Sequence, residues 1–136
     1  MIKPIMKSEF FLRLPSEDAG PDDAATGQDL LDTLHEHEHE CVGLAANMIG
    51  VRKRIICVKD GNRALLMYNP QILEQVNAYQ TSEGCLSLAG ERPCTRYRRI
   101  KVEYLDENFV RRIKNFSGYT AQIIQHEIDH CQGIVI

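Results

Sequence analysis

The chain is predicted to fold as one α+β domain, in which several antiparallel strands lie between an N-terminal helix and a C-terminal helix. A length of 136 residues suits a single domain spanning 1–136 and is enough to bury a core without disulfides. Apolar residues recur with a helical period near both ends of the chain and alternate in short, turn-bounded segments between them. This order favours an α+β fold over repeated strand–helix–strand units.

The first predicted helix begins near Asp22 and ends near Glu40. It emerges from residues 15–28, which are rich in Pro, Gly and Asp and are typical of a loop that leads into a helix. A stretch of small residues, VGLAANMIG, follows the helix. The apolar stripe of the helix, spaced near 3.6 residues, consists of Leu30, Leu31, Leu34 and Cys41.

Short segments rich in β-branched residues are predicted to form the strands. They lie at 54–60, 64–70, 98–106 and 109–116, with a further strand in part of 71–82. Hairpin turns are expected at 60–62 and 106–108, where Asp, Gly, Asn and Glu separate neighbouring strands. The last helix is predicted to start near Gly118, with Thr120 as its candidate cap, and to end at Gly133.

Composition and charge exclude several classes of protein. The net charge is −3 with both signs spread along the chain, so no DNA groove and no polybasic membrane patch is expected. The apolar runs are too short to span a bilayer, and MIKPIMKSEFF lacks the apolar core of a signal peptide. We therefore expect a cytoplasmic protein without a membrane partner. Its five cysteines are expected to be free or metal-bound.

Two stretches, 35–39 and 126–130, match the H-E-x-x-H pattern of zinc proteases. Histidines at i and i+4 share one helix face, with Cβ atoms about 5–6 Å apart, so both rings can reach one metal. The glutamate between them lies about 100° round the helix, where it can act on a water molecule instead of binding the metal. Both stretches allow this geometry, so their surroundings must distinguish them.

The surroundings favour the second stretch as the metal site. The first is an alternation of His and Glu, HEHEHE, which is typical of a hydrated helix face. The second lies among isoleucines on a helix that is apolar nearly all round, which indicates a buried element. Burying imidazoles and carboxylates is costly unless they are paired or bound to metal. We predict a metal site at His126 and His130; the alternative is a pair of hydrogen-bonded core histidines.

A third ligand is needed for a catalytic metal site, and the cysteines are the candidates. Cys131 points about 100° away from His130 on the same helix. Cys57 alternates within a predicted strand, as a small core residue does. Cys85 lies in EGCLS, between a strand end and a loop, and the preceding Gly84 permits close backbone approach. Cys85 is therefore the strongest of these three.

Three short motifs in this order resemble those of the peptide deformylase family: CVGLAANM at 41–48, EGCLS at 83–87 and QHEIDH at 125–130. The resemblance covers most of the chain and implies antiparallel β-sheets packed around a C-terminal metal-binding helix. It also implies one divalent metal, natively Fe(II) and replaceable by Zn or Ni, held by Cys85, His126 and His130. A thiolate and two imidazoles suit these metals.

The resemblance further implies a reaction, the hydrolytic removal of the formyl group from the N-terminal methionine of nascent bacterial or organellar proteins. It implies a bacterial cytoplasmic location for this chain. Glu127 matches the catalytic glutamate of the family, and the backbone N–H of Leu86 matches an oxyanion donor. The formyl-methionyl nascent peptide would be the main partner, and the surface of the ribosome is a second candidate. The residues that match substrate-binding positions are Val42, Gly43, Leu44, Met48 and Gly84.

The first motif departs from the family pattern at Met48, where a glutamine usually donates a hydrogen bond to the formyl oxygen. A thioether has no donor, so weak activity is expected. Two alternatives follow: a metal-containing homologue that hydrolyses another acyl amide, and a non-catalytic protein that binds formyl-methionyl peptides. Structural zinc has four protein ligands. Only three are found here, which favours an open, catalytic position.

Overall fold

A single antiparallel sheet of five strands, in the order β1-β2-β3-β4-β5, forms the framework of the protein. The computed structural model describes all residues, 1–136. The strands are β1 (Gly43–Ala45), β2 (Ile55–Asp60), β3 (Arg63–Glu83), β4 (Arg92–Leu105) and β5 (Arg111–Ser117). The helices are α1 (Glu9–Leu12), α2 (Ala24–Glu36) and α3 (Gly118–Cys131), and short 3₁₀ turns lie at Pro21–Asp23 and Ala46–Ile49.

The predicted α+β class is confirmed. Helix α3 packs against β1, β2 and β4, and α2 packs against β1 and β2. Consecutive residues of β2, from Ile55 to Val58, are all buried, so both faces of this strand belong to the core. All five strands belong to one hydrogen-bonded sheet, whereas the family resemblance implies more than one sheet. The most completely buried side chains come from all of these elements and include Leu30, Leu34, Leu44, Ile56, Met67 and Ile124.

Helix α2 is shorter than predicted at both ends. The predicted bounds were Asp22 and Glu40, whereas Pro21–Asp23 is a 3₁₀ turn and the helix ends at Glu36. The amide of His37 donates to the carbonyls of Thr33 and Leu34, which closes the last turn. Beyond it the HEHEHE segment offers no apolar side chain to bury, so packing cannot sustain the helix.

The strands predicted at 64–70 and 71–82 form one continuous strand, β3. An irregularity in its pairing with β4 lies between Tyr68 and Glu74. Asn69 has a left-handed backbone there, and its side chain bonds both the amide and the carbonyl of Ala19. Pro70 has no amide to donate, so a bulge accommodates it without loss of a ladder bond.

Both predicted hairpin turns are confirmed. Asp60 pairs with Arg63, which leaves a two-residue connection at 61–62 with Gly61 at a φ of 64°. In the second turn the carboxylate of Asp106 accepts from the amides of Asn108 and Val110, at 2.9 and 3.0 Å. Short side chains of this kind stabilise turns because they reach the backbone a few residues ahead.

The start of α3 at Gly118 agrees with the prediction, but the cap does not. Ser117 occupies the cap position with an extended backbone. Thr120 lies within the first turn instead, and its hydroxyl donates to the Asp60 carboxylate at 3.1 Å. The helix ends at Cys131, and Gly133 follows with a φ of 77°. None of the helices is both long and apolar enough to cross a membrane.

Two short elements were not predicted, α1 and β1. Strand β1 is only three residues long, and it pairs Gly43 with Val58 and Ala45 with Ile56. Small residues carry little intrinsic strand preference. The pairing therefore depends on the adjacent edge of β2, which a local pattern does not reveal.

Candidate active site

Helix α3 places the two histidines of the second H-E-x-x-H stretch on one buried face. His130 has no exposed surface and His126 is 7% exposed. Their Nε2 atoms lie 3.2 Å apart. Since residues i and i+4 of a helix are neighbours, this proximity is a direct result of the predicted spacing.

The orientation of His126 is set by a carboxylate from the end of β3. Nδ1 of His126 donates to Oε1 of Glu83 at 2.8 Å. A carboxylate only accepts hydrogen bonds, so the proton is assigned to Nδ1 and the lone pair to Nε2. This is the arrangement of a metal-binding histidine, whose second nitrogen is commonly held by a carboxylate.

A buried ion-pair network supports Glu83 in turn. Arg96 on β4 donates from Nε and Nη2 to Glu83, and Nη1 donates to Asp129 on α3 at 2.7 Å. Nε2 of Gln122 completes the shell around Glu83 at 2.8 Å. Strands β3 and β4 are thereby fastened to the face of α3 that carries the histidines.

Sequence reasoning gave no role to Glu83, Gln122 or Asp129. The available signal was that Glu83 and Asp129 lie inside the EGCLS and QHEIDH motifs, next to predicted ligands. Carboxylates in such positions need partners when they are buried. The identity of those partners depends on the packing of β4 against α3.

Burial and nearby charges raise the pKa values of Glu127 and His126 and lower those of His130 and Glu83. Burial raises the pKa of Glu127 to about 7, and burial with the nearby charge of His126 lowers the pKa of His130 to about 3. Burial opposes ionisation of His126, but Glu127 and Glu83 outweigh it and raise its pKa. Burial also opposes ionisation of Glu83, yet hydrogen bonds from His126 and Arg96 hold its pKa well below the usual range.

The site fits a divalent metal. The possible ligand atoms of His126, Glu127 and His130 all lie within 4.8 Å of one another. Nδ1 of His130 and Oε1 of Glu127 are buried without a hydrogen-bond partner. Two imidazole nitrogens that face each other in a buried, unsatisfied cluster are typical of a cation site.

A cleft of about 810 Å³ opens onto this cluster. Residues of all three motifs line it, which brings together segments far apart in the chain. Among the predicted site residues, the lining includes Val42, Gly43, Met48, Gly84, Cys85, Leu86, His126 and Glu127.

Two predicted residues lie elsewhere. His130 is beneath the cleft surface, in contact with His126. Leu44 is completely buried in β1 and does not line the cleft.

Cys85 is half-buried in the cleft wall. Its sulfur does not belong to the group of His126, Glu127 and His130, whose ligand atoms all lie within 4.8 Å of one another. Its role as a ligand stays a prediction.

Gly43 allows β1 to approach α3 closely. A Cβ at this position would lie 2.7 Å from Ile123 and 2.9 Å from Oε2 of Glu127. Any larger residue would push the strand away from the glutamate. Gly84 has a similar role in its own loop, where an added Cβ would lie 3.1 Å from the carbonyl oxygen of Gly90.

Met48 is buried in the cleft wall, and its sulfur lies 3.5 Å from the amide of Ala45. The adjacent Asn47 does not bring an amide into the cleft. Its Nδ2 donates to the carbonyl of His130 at 2.9 Å, and the side chain is fully buried. Asn47 therefore ties the first motif to α3.

Sequence comparison identifies relatives along the full chain. Residues 6–136 match the profile of the polypeptide deformylase family. A peptide deformylase of Clostridium beijerinckii is 52% identical over 136 residues, which is 100% of both chains. Peptide deformylase 1 of Clostridium perfringens is 38% identical over 111 residues, 79% of this chain and 74% of that protein. These relatives give no support to a non-catalytic homologue or to weak activity.

Solved structures agree with the sequence comparison. A Met-Ala-Ser-bound class I type b peptide deformylase from Acinetobacter baumannii superposes with a TM-score of 0.86 and 30% identity, over 99% of this chain and 97% of that one. The enzyme from Thermus thermophilus superposes with a TM-score of 0.89 and 33% identity, over 99% and 84% of the two chains. With its buried histidine pair in the same fold, the chain belongs to the polypeptide deformylase family of metal-dependent hydrolases.

Proposed function

We propose that this chain removes the formyl group from the N-terminal methionine of formyl-methionyl peptides. The observation that carries the proposal is the buried His126–Glu127–His130 cluster at a cleft lined by all three motifs. The related Acinetobacter baumannii enzyme was solved with Met-Ala-Ser, a peptide with the sequence that deformylation would release. We place the reacting carbonyl beside Glu127 because this glutamate lines the cleft next to His126.

His126, His130 and Cys85 would hold the metal. This set of two imidazoles and one thiolate suits Fe(II), Zn or Ni, and we propose Fe(II) as the native ion. When bound, a divalent ion supplies Lewis acidity, which polarises a carbonyl and lowers the pKa of water. Glu83 keeps Nε2 of His126 available by accepting a hydrogen bond from Nδ1–H.

Glu127 is the proposed general base. It takes a proton from the attacking water and passes it to the departing amine. Its burial supports this role, since a carboxylate without hydrogen-bond partners is a better base than a solvated one. The backbone N–H of Leu86 is the proposed donor to the oxyanion, where one such donor is commonly worth about 10²–10³ in rate.

Strand β1 offers a place for the peptide backbone. It is the edge of the sheet and pairs only with β2, so its other side has no strand partner. An extended peptide commonly binds to such an edge through main-chain hydrogen bonds. The methionine side chain would contact the apolar lining of the cleft, which includes Val42, Met48, Leu86, Leu88 and Ile123.

The test is a deformylation assay with protein reconstituted with Fe(II) without oxygen. We expect release of Met-Ala-Ser with a free amino group, together with formate, from formyl-Met-Ala-Ser, and no release of free Met-Ala-Ser from acetyl-Met-Ala-Ser in the same conditions. Glu127→Ala, with its metal retained, should be inactive. Absence of formate from the loaded wild-type protein would refute the proposed function.

The biological partner we propose is the nascent chain as it leaves the ribosome in the bacterial cytoplasm. Formyl-methionine begins bacterial chains, so the substrate is most concentrated at that place. Sedimentation of the protein with intact ribosomes at low salt would test an affinity for the ribosome surface. A protein that stays entirely in the supernatant would leave free diffusion as the route to the substrate and contradict a ribosomal partner.

A further inference from the structure

Residues 84–91 connect β3 to β4 and carry both Cys85 and Leu86. No residue of this segment makes a main-chain hydrogen bond to another part of the backbone. One side-chain hydrogen bond reaches it: Nζ of Lys7 donates to the carbonyl of Leu86 at 2.8 Å. Apart from the packing of Leu86 and Leu88 against the core, and the bond that Cys85 would make to a metal, this bond is what holds the connection. It is the one polar contact on the Leu86 side of Cys85.

Lys7 is itself held by the N-terminal segment. The amide of Met6 donates to the carbonyl of Met48 at 2.7 Å, and the amide of Lys3 donates to the hydroxyl of Thr33 at 2.9 Å. The segment therefore lies fixed against the first motif and α2. Lys7 also lines the cleft. Through the Met6 amide on one side and the Lys7 ammonium group on the other, this segment links Met48 to Leu86 across the cleft.

We propose that Lys7 is a positioning residue for the reaction, acting through the carbonyl of Leu86. A hydrogen bond to that carbonyl restricts rotation about the backbone of Leu86. The N–H of the same residue is the oxyanion donor of the proposed function, on which this inference rests. Oxyanion donors are effective when they are already in place before charge develops. Without Lys7, the loop would have to be ordered during each catalytic cycle.

The experiment compares the wild-type protein with Lys7→Met, Lys7→Arg and Lys3→Met, all loaded with Zn. Methionine keeps the apolar stem of lysine and removes the donor, while arginine keeps a cationic donor. Lys3 is a matched control, since it is in the same segment and its Nζ lies 3.9 Å from Asp29, away from the cleft. Lys7 is exposed, so its replacement leaves the core intact.

The readout independent of activity is the NMR order parameter of the amides at 86–88, which lie beyond the bond that Cys85 would make to the metal. We expect order parameters of about 0.85, typical of a rigid backbone, in the wild-type and Lys3→Met proteins, and order parameters below about 0.6 in Lys7→Met. In steady-state kinetics, kcat of Lys7→Met should fall about tenfold while KM stays within about twofold, because the oxyanion donor acts in the transition state. Lys7→Arg should restore both measurements.

Unchanged order parameters in Lys7→Met would overturn the proposal, whatever happens to turnover. A raised KM with unchanged kcat would also overturn it, since Lys7 would then contact the substrate instead of the loop. If none of the four proteins released formate, the proposed function would fail. The order parameters would still decide whether Lys7 holds the loop.

Discussion

The stretches 35–39 and 126–130 share the letters H-E-x-x-H but have opposite structural outcomes. Helix α2 ends at Glu36, so His39 lies in the turn beyond it and does not stack over His35. Helix α3 continues to Cys131, and the Nε2 atoms of His126 and His130 lie 3.2 Å apart. The comparison teaches that this motif specifies a metal site only where packing sustains the helix through both histidines.

Their partners differ as well. In the first stretch, His35 and His37 each pair with a local glutamate, Glu38 at 3.3 Å and Glu40 at 2.8 Å. In the second, the partner of His126 is Glu83 at the end of β3, and Arg96 on β4 holds that carboxylate in place. Exposed local pairs contribute little to stability, whereas a buried network orients its members with precision.

The largest expected effect is loss of the metal from His130→Ala. About one divalent ion per chain should bind tightly to the wild-type protein, and the variant should lose it together with all turnover. The matched variant His39→Ala should keep both. Elemental analysis after gel filtration measures the difference, and retention of metal by His130→Ala with loss from His39→Ala would reverse the assignment of the two stretches.

Cys85→Ala extends the same measurement to the predicted third ligand. It should lose the metal as His130→Ala does, because a site with two imidazoles alone binds more weakly than one with a thiolate. Cys94→Ala, at another half-buried cysteine, is the control and should bind one ion. Equal metal content in the two cysteine variants would remove Cys85 from the ligand set.

The next largest effect is expected from replacing the glutamate inside each of the two H-E-x-x-H stretches. Glu127→Gln removes the proposed general base and should lower kcat by about 10²–10⁴ while the metal stays bound. Glu36→Gln alters an exposed residue at the end of α2 and should leave kcat unchanged. Both are measured as initial rates of formate release with the same metal. Near wild-type turnover by Glu127→Gln would contradict the mechanism.

A smaller effect is expected on stability, where the buried network of Glu83 and Arg96 should contribute more than the exposed pairs of the first stretch. Arg96→Met leaves Glu83 buried without its main cation and should cost about 3–5 kcal/mol of unfolding free energy. Urea titration of the metal-free proteins measures this loss without a contribution from metal binding. A loss below about 1 kcal/mol would show that the network is dispensable for the fold.

The smallest effect is expected from Glu38→Gln. This change removes the contacts of Glu38 with His35 and Lys59, at 3.3 and 3.6 Å. Exposed pairs of this kind are typically worth about 0–1 kcal/mol. The same urea titration should place this variant close to the wild-type protein, and a cost as large as that of Arg96→Met would contradict the contrast between the two regions.

Much of the fold follows from local patterns in the sequence. The alternation of apolar residues predicts β2 and β5 to within two residues, and Asp60 and Asp106 indicate both hairpin turns. It also predicts the end of β4 but not its start, which lies at Arg92 instead of residue 98. The boundaries of α3 are also predictable to within two residues, since Gly118 and Gly133 flank the apolar stretch. The spacing of His126 and His130 is a local property as well, so the histidine pair could be predicted without knowledge of the fold.

Tertiary structure decided the features that depend on contacts between distant residues. The early end of α2, the pairing of β1 with β2 and the fusion of two predicted strands into β3 depend on which neighbours are available. The support of His126 by Glu83 and the hold of Lys7 on Leu86 join residues 43 and 79 positions apart. Periodicity reports which face of an element is apolar, but a polar group finds its partner only when the chain has packed.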